Sequence, residues 1–146
     1  VSSVDAYNAS LTRSLAASLS EKKNEHQGAT VNGYAIFAGG ESSAGLKTVD
    51  VFDASLTRKT ATPLSVGMSN FASASIEDFA VFAGGFKANG AVNTYSKSLT
   101  RTTLTLHSGH ANRYALSGAR VGGYALFSGG LIDGTELDSV EAFTAL

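Results

Sequence analysis

Apolar residues along this chain fall in short blocks, without the rhythm of a helix. Tyr34-Ala35-Ile36-Phe37, Phe79-Ala80-Val81-Phe82 and Tyr124-Ala125-Leu126-Phe127 are apolar at every position, and each runs into a glycine pair. Runs this short predict strands, and unbroken apolarity means that both faces of the strand are covered. Immediately upstream of each run lies a two-residue turn: Asn32-Gly33, Glu77-Asp78 or Gly122-Gly123. Before each turn comes a stretch of small residues, Gly28 to Val31, Ala72 to Ile76 and Gly118 to Val121. Asn-Gly between two strands is a strong hairpin signal. The predicted unit is therefore a small-residue strand, a tight turn and an apolar strand closing in Gly-Gly.

Two further landmarks share the period. A V-x-x-aromatic segment begins at Val4, Val49, Val92 and Val140, and the tetrapeptide Ser-Leu-Thr-Arg stands at Ser10 to Arg13, Ser55 to Arg58 and Ser98 to Arg101. The glycine pairs are spaced 45 and 45, the valines 45, 43 and 48. Three interleaved sets in register define a repeat, placed at about 4–48, 49–91 and 92–139, with a partial fourth at 140–146. All 146 residues form one segment of repeats.

Composition narrows the function. The net charge is −1 and the 11 Lys and Arg are scattered, which disfavours nucleic acid and anionic membrane as partners. No apolar stretch is long enough to span a bilayer. Cysteine is absent, which removes disulfides, thiolate metal sites and thiol nucleophiles. Sixteen Gly and a single Pro, Pro63, suit short strands and tight turns. Abundant Ser and Thr favour an extracellular, cell-surface or virion setting over a cytoplasmic one.

A small-residue hairpin, an aromatic-rich strand ending in Gly-Gly, a variable loop, then V-x-x-Y/F and a tight turn: in this order the chain resembles the kelch repeat, of a divergent bacterial or phage type. Family units carry a basic residue and a His three apart before the inner strand. Lys23 and His26 match that pair, whereas the equivalent positions hold Met68 with Phe71 and Arg113 with Leu116, which keep the spacing but not both residue types. The tryptophan that the family places on its outer strand is missing, and Leu11, Leu56 and Leu99 are expected to supply its volume. The resemblance implies an all-β fold of four-stranded antiparallel propeller blades, strands a (inner) to d (outer). The chain would start on c and d, complete two blades, and end with a, b and c. Three blades leave open edges, so either a second chain completes a six-bladed ring as a homodimer, the favoured arrangement, or the chain belongs to a longer propeller.

On such blades the b to c and d to a loops emerge on one face. The b to c loops, Glu41 to Thr48, Phe86 to Ala91 and Leu131 to Ser139, and the d to a loops, Ala17 to Glu25, Pro63 to Asn70 and Leu104 to Ala115, differ in length and chemistry. The Ser-Leu-Thr-Arg turn on the other face does not vary. Variation permits recognition while repetition marks scaffold. Ligand or partner contacts are therefore expected from Glu41, Phe86, Lys87, Asn89, His107, His110, Leu131, Ile132, Asp133 and Glu136. His107 and His110 could offer two imidazoles to a metal, joined by Asp133 or Glu136, but solvated loop histidines are the expected state, and no metal or other cofactor is assigned. His26 is expected to be packed near the inner strand. Arg13, Arg58 and Arg101 recur at one position of the repeat, as do Asp5, Asp50 and Asn93, which suits a repeated structural ion pair or hydrogen bond, with a carbohydrate or phosphate clamp as the alternative.

The expected function is a non-enzymatic recognition or structural module that grips a protein or glycan through its variable loop face, in a phage or bacterial surface structure. The alternative is a carbohydrate-active enzyme of the kelch-like type, such as a sugar mutarotase. Kelch-like copper oxidases need a cysteine, which this chain lacks.

Overall fold

The computed structural model describes residues 2–107 and 109–145; Ser108, inside the Leu104 to Ala115 loop, and residues 1 and 146 lie outside it. Every regular element among the described residues is a strand, so no helix is long and apolar enough to cross a membrane. A hairpin of β1 (Asp5–Tyr7) and β2 (Arg13–Leu15) comes first. Two four-stranded antiparallel sheets follow: β3 (Gln27–Val31), β4 (Tyr34–Ala38), β5 (Val49–Phe52) and β6 (Arg58–Thr60), then β7 (Ala72–Ile76), β8 (Phe79–Ala83), β9 (Ala91–Ser96) and β10 (Arg101–Thr105). A third sheet orders β11 (Ser117–Val121), β12 (Tyr124–Ser128) and β15 (Val140–Thr144). Between β12 and β15, β13 (Leu131–Ile132) and β14 (Thr135–Glu136) form a small hairpin. The fold is all-β and propeller-like, with consecutive sheets that do not close on themselves.

The strands form where the sequence pattern places them. The turns between the two inner strands need left-handed residues, supplied by Asn32 and Gly33 at φ 47° and 76°. The Ser-Leu-Thr-Arg turn takes an unusual form, with Leu11, Leu56 and Leu99 all left-handed at φ 57°, 62° and 62°. A branched aliphatic residue rarely adopts that conformation. Asn8, Asp53 and Ser96 hold it by accepting the Thr12, Thr57 and Thr100 amides on their side-chain oxygens at 2.9, 3.1 and 3.3 Å.

Each sheet has a rear face toward its predecessor and a forward face toward its successor. The first core joins Ile36, Val49 and Val51 of the first sheet to Phe71, Phe82 and Tyr95 of the second. The second core joins Ile76, Val81 and Val92 to Leu116, Ala125 and Phe127. The rear face of every sheet carries an edge-to-face aromatic pair: Phe37–Phe52 at 5.8 Å, Phe82–Tyr95 at 6.0 Å and Phe127–Phe143 at 5.9 Å. Fully burying a side chain such as Phe82 contributes about 1.5–3 kcal/mol, so these cores dominate the packing. The expectation that all three tetrapeptide leucines fill the tryptophan volume holds only in part. Leu99 packs against the first core, but Leu11 is 80% exposed, with no neighbouring sheet packed on its turn among the described residues.

Polar ties fasten each d to a loop to the c strand of the sheet it leads into. Lys23 meets Asp50 at 3.1 Å, Met68 accepts a contact from Asn93 at 3.4 Å, and Arg113 meets Glu141 at 3.1 Å. Arg13–Asp5 at 2.7 Å and Arg58–Asp50 at 3.1 Å are the expected ion pairs. Arg101 departs from the pattern, donating instead to the Pro63 carbonyl at 2.7 Å.

Candidate functional site

The variable loops are held against one another by backbone. The first residue after each glycine pair donates its amide to the loop preceding its own sheet: Glu41 to Asn24, Phe86 to Ser69 and Leu131 to Tyr114, at 2.9, 3.0 and 2.8 Å. The next residue of each of those preceding loops, Glu25, Asn70 or Ala115, is left-handed at φ 51°, 51° and 55°, turning the chain into the inner strand. Gly45 and Gly67 let the first two loops touch, since a Cβ on Gly67 would lie 2.2 Å from the Ala44 carbonyl oxygen. The result is a fixed rim rather than free loops.

Within that rim lies a cleft of about 350 Å³. Phe86 and Tyr114 meet edge to face at 5.5 Å on one side, and the Lys87 ammonium stands 5.2 Å from the Phe86 ring centre. Phe86 is half exposed, so an aromatic surface remains open to a ligand. Glu25, Glu41, Ser42, Ser43, Ser69 and Asn70 supply the polar side, and Asn24 donates to the Glu41 carboxylate. An aromatic surface ringed by hydroxyl, amide, carboxylate and ammonium groups can take an apolar ligand face while exchanging hydrogen bonds around its edge.

The chain's fold is similar to that of YjhT. The structure of YjhT matches with a TM-score of 0.75 at 14% sequence identity, over 98% of this chain and 48% of that one. The chain thus spans about half the length of YjhT, and the likeness concerns the fold alone. No family model matches the chain, and no curated protein does.

Of the residues singled out from the sequence, the fold brings Glu41, Phe86 and Lys87 together in this cleft. Asn89 shares their loop, left-handed at φ 52°, but does not line the cleft. Leu131 and Ile132 form β13, and Leu131 is bridged to the backbone of Tyr114. Asp133, at the tip of the small hairpin, and Glu136 on β14 do not line the cleft.

His110 is not a free ligand: its Nδ1 lies 2.5 Å from Glu141, whose other oxygen accepts the His107 amide at 2.8 Å. The histidine pair therefore braces the third sheet, and among the described residues no three His, Asp or Glu side chains cluster to hold a metal. His26 packs edge-on against Phe37 at 6.1 Å, as expected. Tyr114, Glu25 and Asn70 belong to loops marked as variable, but nothing in their own sequence context distinguished them. The periodic spacing of Asn24, Ser69 and Tyr114 is the signal that aligns them.

Proposed function

We propose that this chain is a kelch-like recognition module whose ring is completed by a second copy and whose loop-face cleft binds a glycan without turning it over. The observation that carries the reading is the open Phe86–Tyr114 pair with hydroxyl and carboxylate groups around it. Sugars present an apolar C–H face and a hydroxyl edge, and this cleft offers the complement of each. The loop-to-loop backbone bonds add support, because a rim fixed before binding loses less entropy on capture.

The test is a glycan screen run beside a sugar-anomerisation assay. Binding without turnover, weakened at least tenfold by Phe86→Ala with the fold intact, is the expected result; tenfold corresponds to about 1.4 kcal/mol. Anomerisation abolished by Glu25→Gln or Glu41→Gln would replace this reading with the enzymatic one.

A further inference from the structure

We propose that the outer strand missing from the third sheet is supplied by a second copy of this chain, whose Leu11 seats in the groove between the second and third sheets. This rests on the ring reading above and names its contacts. The groove has a volume of about 190 Å³ and is lined by Phe79, Val81, Leu104 and Phe143 among others. One repeat earlier the equivalent positions are Tyr34, Ile36, Ala61 and Tyr95, and there the space is packed by Leu99 of the second sheet's own Ser-Leu-Thr-Arg turn. Among the described residues the third sheet has three strands, and no such turn packs in its groove. Leu11, in the same tetrapeptide, is 80% exposed at the other end of the molecule.

The surroundings repeat the same contrast. Val121 and Val140 on the forward face of the third sheet are 57% and 59% exposed, whereas their equivalents Val31, Ile76, Val49 and Val92 are at most 2% exposed. Phe71 and Leu116 press on the first glycine of the preceding pair, 2.8 and 2.9 Å from where a Cβ would stand on Gly39 and Gly84. At Gly129 the nearest atom is 3.7 Å away and belongs to its own sheet's loop. His26, equivalent to Phe71 and Leu116, fills that place in the second copy. Twice within one chain, then, the equivalent of the surface left bare on the third sheet is covered by the equivalent of the surface that the first sheet and its hairpin present.

β1 and β15 occupy the same lane of their units, so one must leave it. β15 is paired to β12 over five residues, and β1 to β2 over three. β1 yields, and β2 pairs with β15 so that Arg13 reaches Glu141 as the Arg58 side chain reaches Asp50.

The chain has no cysteine, so introduced thiols report without ambiguity. Thr30 and Ser75 are neighbours on adjacent inner strands, with hydroxyls 3.3 Å apart; one repeat on, Ser75 is equivalent to Arg120. Thr30→Cys with Arg120→Cys is oxidised and the products are mapped by mass spectrometry. Thr30→Cys with Ser75→Cys, which bonds within one chain, is the control. The expected result is a covalent dimer joined at positions 30 and 120, reduced at least tenfold in yield by Leu11→Asp while the control pair still oxidises. Free thiols at 30 and 120 beside an oxidised control, or crosslinking indifferent to Leu11→Asp, would overturn the interface. Glycan binding by such an uncrosslinked chain would leave the recognition reading standing; loss of glycan binding in a chain that crosslinks normally would do the reverse.

Discussion

Lys23 and Asp50 form an ion pair at 3.1 Å with both side chains fully buried. Asp50 also accepts from Ser20 and Arg58. A buried charge left without its partner is costly. Lys23→Met is therefore expected to destabilise the chain by about 3 kcal/mol in urea unfolding. The double variant Lys23→Met with Asp50→Asn copies Met68 and Asn93 of the next unit, and should regain most of that loss.

Acid should destabilise the fold in two stages. Burial first, then the Lys23 ammonium, holds the His26 pKa below its ordinary 6.5, against a smaller upward pull from Asp50. The neutral ring's contribution is thus complete above pH 6.5 and is lost as pH falls toward the folded value. Burial alone would raise Asp50, but hydrogen bonds from Ser20, Lys23 and Arg58 outweigh it and set the carboxyl below 3.8. Glu141 is likewise drawn below 4.5, the His107 amide, His110 and Arg113 outweighing burial. Their contributions are complete above pH 4.5 and disappear as pH falls through the folded values. His26→Phe, which copies Phe71, should remove only the upper stage from a plot of melting temperature against pH.

Gly84→Ala and Gly129→Ala change equivalent residues in unequal surroundings. Both glycines are left-handed, at φ 75° and 63°, so each substitution costs roughly 1–2 kcal/mol in backbone strain. At Gly84 the new methyl would also meet the Arg113 carbonyl oxygen at 2.8 Å, whereas Gly129 has room. Chemical denaturation of the uncrosslinked chain should show the larger loss at Gly84.

Leu99→Ala should cost ~2 kcal/mol, because Leu99 packs against the first core. Leu11→Ala, in an identical tetrapeptide, should leave the unfolding midpoint of the free chain unchanged, since its side chain touches little. Parallel melts of the two variants check the contrast.

The strands were legible because their apolar runs are local signals; Tyr34 to Phe37 and its two counterparts all fall inside β4, β8 and β12. The pattern marks Leu131 to Ser139 only as a variable loop, although its Asp133-Gly134 pair, with Asp133 left-handed at φ 50°, forms the β13–β14 turn. Leu104, assigned to a loop, lies in β10, because a strand edge carries no sharp signal in a run of Thr and Leu.

The pairing of Lys23, Met68 and Arg113 with Asp50, Asn93 and Glu141 is not legible in the sequence. Both columns are periodic, but only tertiary folding shows that they touch. Tyr114 is invisible to local pattern for the same reason: its meeting with Phe86 joins two loops separated by β9 and β10.

Taking as the unit a sheet together with the loop that leads into it, those three couples each lie inside one unit. Among the described residues the ion pairs are absent from the boundaries, which hold apolar contacts with hydroxyl and backbone bonds on the inner strands and in the loops. A unit copied or exchanged by recombination would therefore carry its own charge balance with it. Shuffled arrays of such units would never strand an ion in the interior, and lengthening or mixing them is limited only by how well the aliphatic faces nest.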